Sequence, residues 1–109
     1  MGKEGEIRFV DLKLKESFKE LENSDKEFYE EIQNALNDIS NNVFCGRNVK
    51  KELIPKEFIR KYNLNNLWIY NLRDGWRLLY FITTPDKIDV LAIILDWMNH
   101  KDYERLFKF

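Results

Sequence analysis

Leu67-Trp68-Ile69-Tyr70-Asn71-Leu72 and Trp76-Arg77-Leu78-Leu79-Tyr80-Phe81-Ile82-Thr83 flank Arg73-Asp74-Gly75, and this stretch carries the strongest structural signal in the chain. Aromatic and β-branched residues recur with a period of two on both sides of an Asp-Gly pair. That pattern predicts two antiparallel strands joined by a tight hairpin. Thr84-Pro85-Asp86 marks a second turn, and Lys87 to Trp97 reads as a third strand. Val90 through Leu95 is apolar without a polar break, so this strand is expected to be central and buried on both faces.

Toward the N-terminus, Ile7-Arg8-Phe9-Val10 is short and β-compatible and reads as a first strand. From Leu12 the period changes. Leu14, Phe18 and Leu21 form the apolar stripe of a helix, which Glu22-Asn23-Ser24-Asp25 ends. Ser24 with Glu27 makes a capping box for a second helix. Its stripe is Phe28, Ile32, Ala35, Leu36 and Ile39, extending to Val43, and Asn41-Asn42 ends it. Asp25, Glu27, Glu30 and Glu31 sit where the helix dipole favours negative charge. The two helices form an antiparallel hairpin.

Pro55 suits the start of a short helix running to Tyr62, followed by the turn cluster Asn63-Leu64-Asn65-Asn66. Asn99 is positioned to cap a last helix through Tyr103 to Phe107. The expected order is β-α-α-β-β-β-α, an α+β fold whose mainly antiparallel sheet packs against the helical hairpin. The 109 residues suggest one domain. Helices are expected to cover one sheet face. The other face is expected to be open or covered by a partner.

Eight Phe, five Tyr and three Trp supply large core side chains, and four Gly and two Pro argue against a linker-rich chain. No apolar run approaches the ~20 residues that span a bilayer. The polar start, Met1 to Glu6, lacks the apolar centre of a signal peptide. With Cys45 as the single cysteine there is no internal disulfide, and the expectation is a reducing cytoplasm without membrane association. Cys45 itself reads as buried or incidental.

The net charge is −1, but its distribution is uneven. Residues 1–45 hold six Lys/Arg and eleven Asp/Glu, a balance of −5, whereas residues 46–109 hold twelve and eight, a balance of +4. A polyanion would meet the second half and be repelled by the first.

One His and one Cys exclude the usual metal-ligand spacings, and neither a glycine-rich phosphate loop nor a G-x-S-x-G elbow is present. What remains is a polar set in the second half. Arg77 interrupts apolar strand residues, so its guanidinium must reach water, a carboxylate or a phosphate. Arg73 stands at the hairpin turn. His100 and Tyr103, at i and i+3, share a side of the last helix. Such a set suits RNA cleavage by the 2′-hydroxyl, which needs proton transfer and cations around the phosphate but no metal or other cofactor. Trp68, Tyr70 or Tyr103 would stack on bases. The plain alternatives are an ion pair of Arg77 with Asp89 or Asp96, a surface or capping His100, and a solvated basic face over Lys50 to Lys61.

The stretch Leu72-Arg73-Asp74-Gly75-Trp76-Arg77-Leu78-Leu79-Tyr80 resembles the hairpin of RelE-type toxins. There an Arg precedes a tight turn, and Gly-aromatic-Arg-aliphatic-aliphatic-Tyr follows. His100-Lys101-Asp102-Tyr103 is similar to the basic-aromatic C-terminal motif of the RelE/ParE superfamily, and the element order fits over nearly the whole chain. The resemblance implies the toxin of a type II toxin–antitoxin pair. RelE and YoeB relatives cut mRNA, commonly on the ribosome, without a metal, while ParE relatives share the fold and instead inhibit DNA gyrase. The alternative for this chain is a non-catalytic binder of the same fold, a ParE-like gyrase inhibitor or an inactive relative. The implied partners are mRNA and a small antitoxin that wraps the toxin.

By this resemblance Arg77 matches the strand arginine, Arg73 the pre-turn arginine, and His100 and Tyr103 the His and Tyr of the C-terminal motif. Glu52 falls near the acidic residue that acts as a base in YoeB-like members. RelE's paired second-strand lysines have no match in Leu67-Trp68-Ile69-Tyr70, which leaves Arg47, Lys50, Lys51 and Lys101 to bind RNA. A two-residue turn at Asp74-Gly75 would send Arg73 and Arg77 to opposite faces, and a three-residue turn would put Arg73 at the tip.

Overall fold

The structure is a computed structural model that describes residues 2–108. Its elements are β1 (Glu6–Phe9), α1 (Leu12–Ser24), α2 (Lys26–Asn41), β2 (Arg47–Asn48), α3 (Lys56–Tyr62), β3 (Trp68–Asn71), β4 (Arg77–Thr83), β5 (Leu91–Met98) and α4 (His100–Phe107). The five strands form one mixed sheet in the order β1-β5-β4-β3-β2. β1 runs parallel to β5, and the other pairings are antiparallel. The fold is α+β, with β5 flanked on both sides as its apolar run requires.

Alternation along the strands creates two cores. Leu78, Tyr80, Ala92 and Ile94 point to one face, where Phe18, Ile32, Ala35, Leu36 and Ile39 of the helical hairpin meet them. Ile69, Leu79 and Leu95 point to the other, where Val49, Ile54, Leu64, Leu67 and Tyr103 close over them. Each fully buried side chain of this kind contributes about 1.5–3 kcal/mol. The second face is therefore not open. The irregular stretch after β2, α3 and the amphipathic α4 cover it, a role that short and weakly periodic segments did not announce.

The helical hairpin is tighter than its capping signal suggested. Ser24 belongs to α1, where its hydroxyl donates to the Glu20 carbonyl. Asp25 is the joint: its N–H donates to Leu21 O and closes α1, and its carboxylate accepts from Phe28 N and opens α2. A carboxylate is as good an N-cap as a hydroxyl, and here one residue serves both helices. At the last helix the expected cap holds, with Asn99 Oδ1 accepting from Asp102 N at 2.8 Å. The third long strand starts at Leu91 rather than Lys87. Lys87 has φ 66°, and Asp86 Oδ1 accepts from Ile88 N and Asp89 N, so these residues prolong the turn. The two-residue β2 was not expected, since Arg47-Asn48 lacks the length and pattern of a strand.

Tyr80 ties the two halves together. Its fully buried hydroxyl donates to Val43 O at 2.7 Å and accepts from Gly46 N at 3.0 Å, pinning the chain just before Arg47 to the sheet. Tyr80→Phe leaves both backbone groups without this partner and is expected to cost about 1–3 kcal/mol. The midpoint of urea unfolding measures it, and an unchanged midpoint would show the hydroxyl to be energetically idle.

Candidate functional site

The turn between β3 and β4 organises the site. Leu72 N donates to Trp76 O at 2.9 Å and Trp76 N to Arg73 O at 3.1 Å, leaving Arg73, Asp74 and Gly75 as the connection. Asp74 (φ 56°) and Gly75 (φ 78°) are both left-handed, a conformation glycine adopts freely and aspartate tolerates. A Cβ on Gly75 would stand 3.0 Å from His100 Cβ, so the turn and the first residue of α4 are in close contact.

Arg77 follows this turn. Its chain neighbours Trp76 and Leu78 belong to the first core, so Arg77 projects to the opposite face. Its Nη1 donates to Gly75 O at 2.5 Å, and its guanidinium carbon lies 4.9 Å from the Tyr103 ring centroid. Nε is buried without a hydrogen-bond partner. Neither Asp89 nor Asp96 pairs with it: among the described residues no carboxylate forms an ion pair with Arg77.

Arg47 arrives from the sheet edge. Pairing of Arg47 with Ile69, and of Ile69 with Leu79, puts it on the same face as Arg77. Its Nη2 donates to the Tyr103 hydroxyl at 3.0 Å, and it too lacks an ion-paired carboxylate among the described residues. Two guanidiniums thus engage one buried tyrosine, one over its ring and one at its hydroxyl. Such a pair repels until an anion joins it, and carboxylate or phosphate oxygens match the guanidinium fork.

His100 sits one helical turn before Tyr103. Its Nε2 lies 3.2 Å from Glu104 Oε1, both side chains being about half exposed. Glu104 was not singled out from the sequence, although its i+4 spacing from His100 was a readable signal. Gly75, which touches both His100 and Arg77, shows in the sequence only the signal of a turn residue. Lys50, Lys51 and Lys101 are exposed and free of ion pairs among the described residues.

Arg77, His100, Tyr103 and Arg47 therefore come together, but two expected members do not join them. Arg73 lies on the helical-hairpin face. Its N–H donates to Glu31 Oε2 at 2.7 Å, and its guanidinium reaches Glu31 at 3.2 Å and Glu27 at 3.4 Å. Acidic residues at the start of α2 capture it there. Glu52 lies in a short 3₁₀ turn and lines a cleft with Arg60, Leu106, Phe107 and Lys108, at the far end of α4 from His100. Six helical residues separate that end from His100, about 9 Å along the axis.

Trp68 and Tyr70 also pack with the first core, away from Arg77, and are not base platforms for this site. Cys45 is exposed rather than buried, but partial burial still pushes its thiol up, so it carries no thiolate nucleophile at neutral pH. Burial likewise raises the Asp96 carboxyl, helped by nearby Asp102 and Asp11. Among the described residues no cluster of His, Cys, Asp or Glu is arranged to hold a metal, and no helix is long and apolar enough to cross a membrane.

Gly75→Ala tests the contact between turn and helix. Left-handed strain costs about 1–2 kcal/mol, and the new methyl must displace His100. His100 is the single histidine, so its ring-proton NMR signals report the displacement directly. Unmoved signals would show that the turn does not position the imidazole.

Comparison with protein-family models, curated proteins and solved structures returns no match to this chain.

Proposed function

We propose that this chain is a RelE-like toxin of a type II toxin–antitoxin pair, acting in the cytoplasm as a metal-independent mRNA endoribonuclease. The observation that carries the reading is the pair of uncompensated guanidiniums, Arg47 and Arg77, on Tyr103, with His100 held against Gly75 beside Arg77. In such a cleavage the 2′-hydroxyl attacks the neighbouring phosphate and the 5′-oxygen leaves. Charge grows on the phosphoryl oxygens, where Arg77 and Arg47 stabilise it. The attacking oxygen loses a proton and the leaving oxygen gains one; imidazole is the side chain suited to such transfers at neutral pH, and His100 serves here. Lys50 and Lys51 lead away from Arg47 and Lys101 follows His100, so the flanking phosphates meet positive charge.

Controlled expression followed by mapping of mRNA ends tests this reading. Growth arrest with new RNA ends carrying upstream 2′,3′-cyclic phosphates is expected. Intact mRNA in arrested cells would refute it. A second reading, a non-catalytic binder of the same fold such as a ParE-like gyrase inhibitor, is favoured by the remoteness of Glu52, which leaves His100 without a second proton-transfer carboxylate from that loop. Gyrase-dependent DNA breakage with intact mRNA would select that reading. A short adjacent reading frame for an antitoxin supports either form.

A further inference from the structure

On the face opposite the guanidinium pair, the joint of the helical hairpin and the β3–β4 turn enclose a cleft of about 500 Å³. Leu21, Phe28, Trp76 and Trp97 form its apolar floor, with the Phe28 and Trp76 rings packed edge to face at 4.9 Å. Asp25, Glu27, Glu31 and Asp74 form its rim. Arg73 is the single base among the lining residues, and it sets a precedent for what the rim accepts: Glu27 and Glu31 hold its guanidinium at 3.4 and 3.2 Å. The compensation is incomplete. Glu27 is 85% exposed, Glu31 Oε1 has Arg73 Nε at 3.2 Å as its ion-pair partner and no further hydrogen bond, and Asp74 makes no ion pair among the described residues. Four carboxylates face one guanidinium around aromatic surface, and three of them, Asp25, Glu27 and Glu31, come from residues 1–45, whose balance is −5.

We propose that this cleft is a docking site for a cationic amphipathic segment of a partner protein. Its apolar side chains rest on Phe28, Trp76 and Trp97, and its Lys or Arg side chains bind Glu27, Glu31 and Asp74. The rim repels nucleic acid, which keeps this surface separate from the guanidinium face. Arg73 competes with the incoming base for the same carboxylates, so the resident guanidinium weakens binding.

The test titrates the full chain with a 12-residue amphipathic peptide of Leu and Lys and with its Leu and Glu counterpart, following the indole N–H signals by NMR. The Lys peptide is expected to shift Trp76 and Trp97 but not Trp68, with binding that weakens as salt rises. Glu27→Gln with Glu31→Gln is expected to weaken it about tenfold, and Arg73→Gln to tighten it. Glu27 and Arg73 are exposed and Glu31 is half-buried, and an unchanged indole spectrum without peptide verifies the fold. Equal binding of the two peptides, no binding, or shifts confined to other residues would overturn the proposal. Self-association abolished by the Glu27 and Glu31 substitutions would overturn it in favour of a second copy as occupant. No RNA enters the readout, so its outcome is independent of the ribonuclease reading.

Discussion

Arg77→Ala is expected to lower single-turnover cleavage of a short RNA by about 10²–10³-fold, the usual cost of removing one preorganised group from developing negative charge. The loss should be functional rather than structural. Arg77 contributes no ion pair among the described residues, and its Nε is buried without a partner, a cost that offsets its hydrogen bond to Gly75 O and its contact with the Tyr103 ring. Thermal unfolding of the variant should therefore be little changed. Arg77→Lys is expected to recover little, because an ammonium restores the charge but neither the guanidinium contact over the Tyr103 ring nor the two-pronged grip on a phosphate. Cleavage that survives Arg77→Ala within a few-fold of wild type would remove the phosphate role. A variant that unfolds would show the residue to be structural after all.

His100→Ala is expected to slow the same reaction by about 10²–10⁴-fold, the range for losing a positioned acid or base. The side chain is about half exposed and outside both cores, so its removal should leave stability nearly unchanged. RNA binding measured without turnover should also persist, since Arg47 and Arg77 remain. That split separates proton transfer from phosphate binding: a chemical step slowed at constant affinity is the signature of His100 acting on protons. Glu104→Gln should move the rate in the same direction by less, because it removes the negative charge 3.2 Å from Nε2 and keeps the imidazole. Unchanged cleavage by His100→Ala would leave the binding-only reading as the stronger one.

The elements with long periodic stripes were readable from residue order. Leu14, Phe18 and Leu21, then Phe28 through Ile39, announce two helices by spacing alone, and Asp74-Gly75 announces the hairpin. Asn99 marks the start of α4 because its side chain has one evident local use. Boundaries were less visible where two residues compete for one role. Ser24 and Asp25 are both good caps, and the back-bond from Ser24 to Glu20 settles the choice. β2 has no signal of its own, since two residues become a strand only by pairing with Trp68 and Ile69.

Local pattern settled the kinds of element, the α+β class, and the presence of an arginine that strand alternation sends away from its apolar neighbours. It did so because helix and strand periods act over a few residues, which any window of sequence contains. The assembly of the site belongs to contacts between residues far apart in the chain. Arg47 meets Tyr103 across 56 positions, while Arg73, four residues from Arg77, is drawn to the opposite face by Glu31. Glu52 is carried to the wrong end of α4 by a loop whose path depends on what it packs against. Charge attraction and the packing of the second core made those assignments, and neither is written in the spacing of the residues involved.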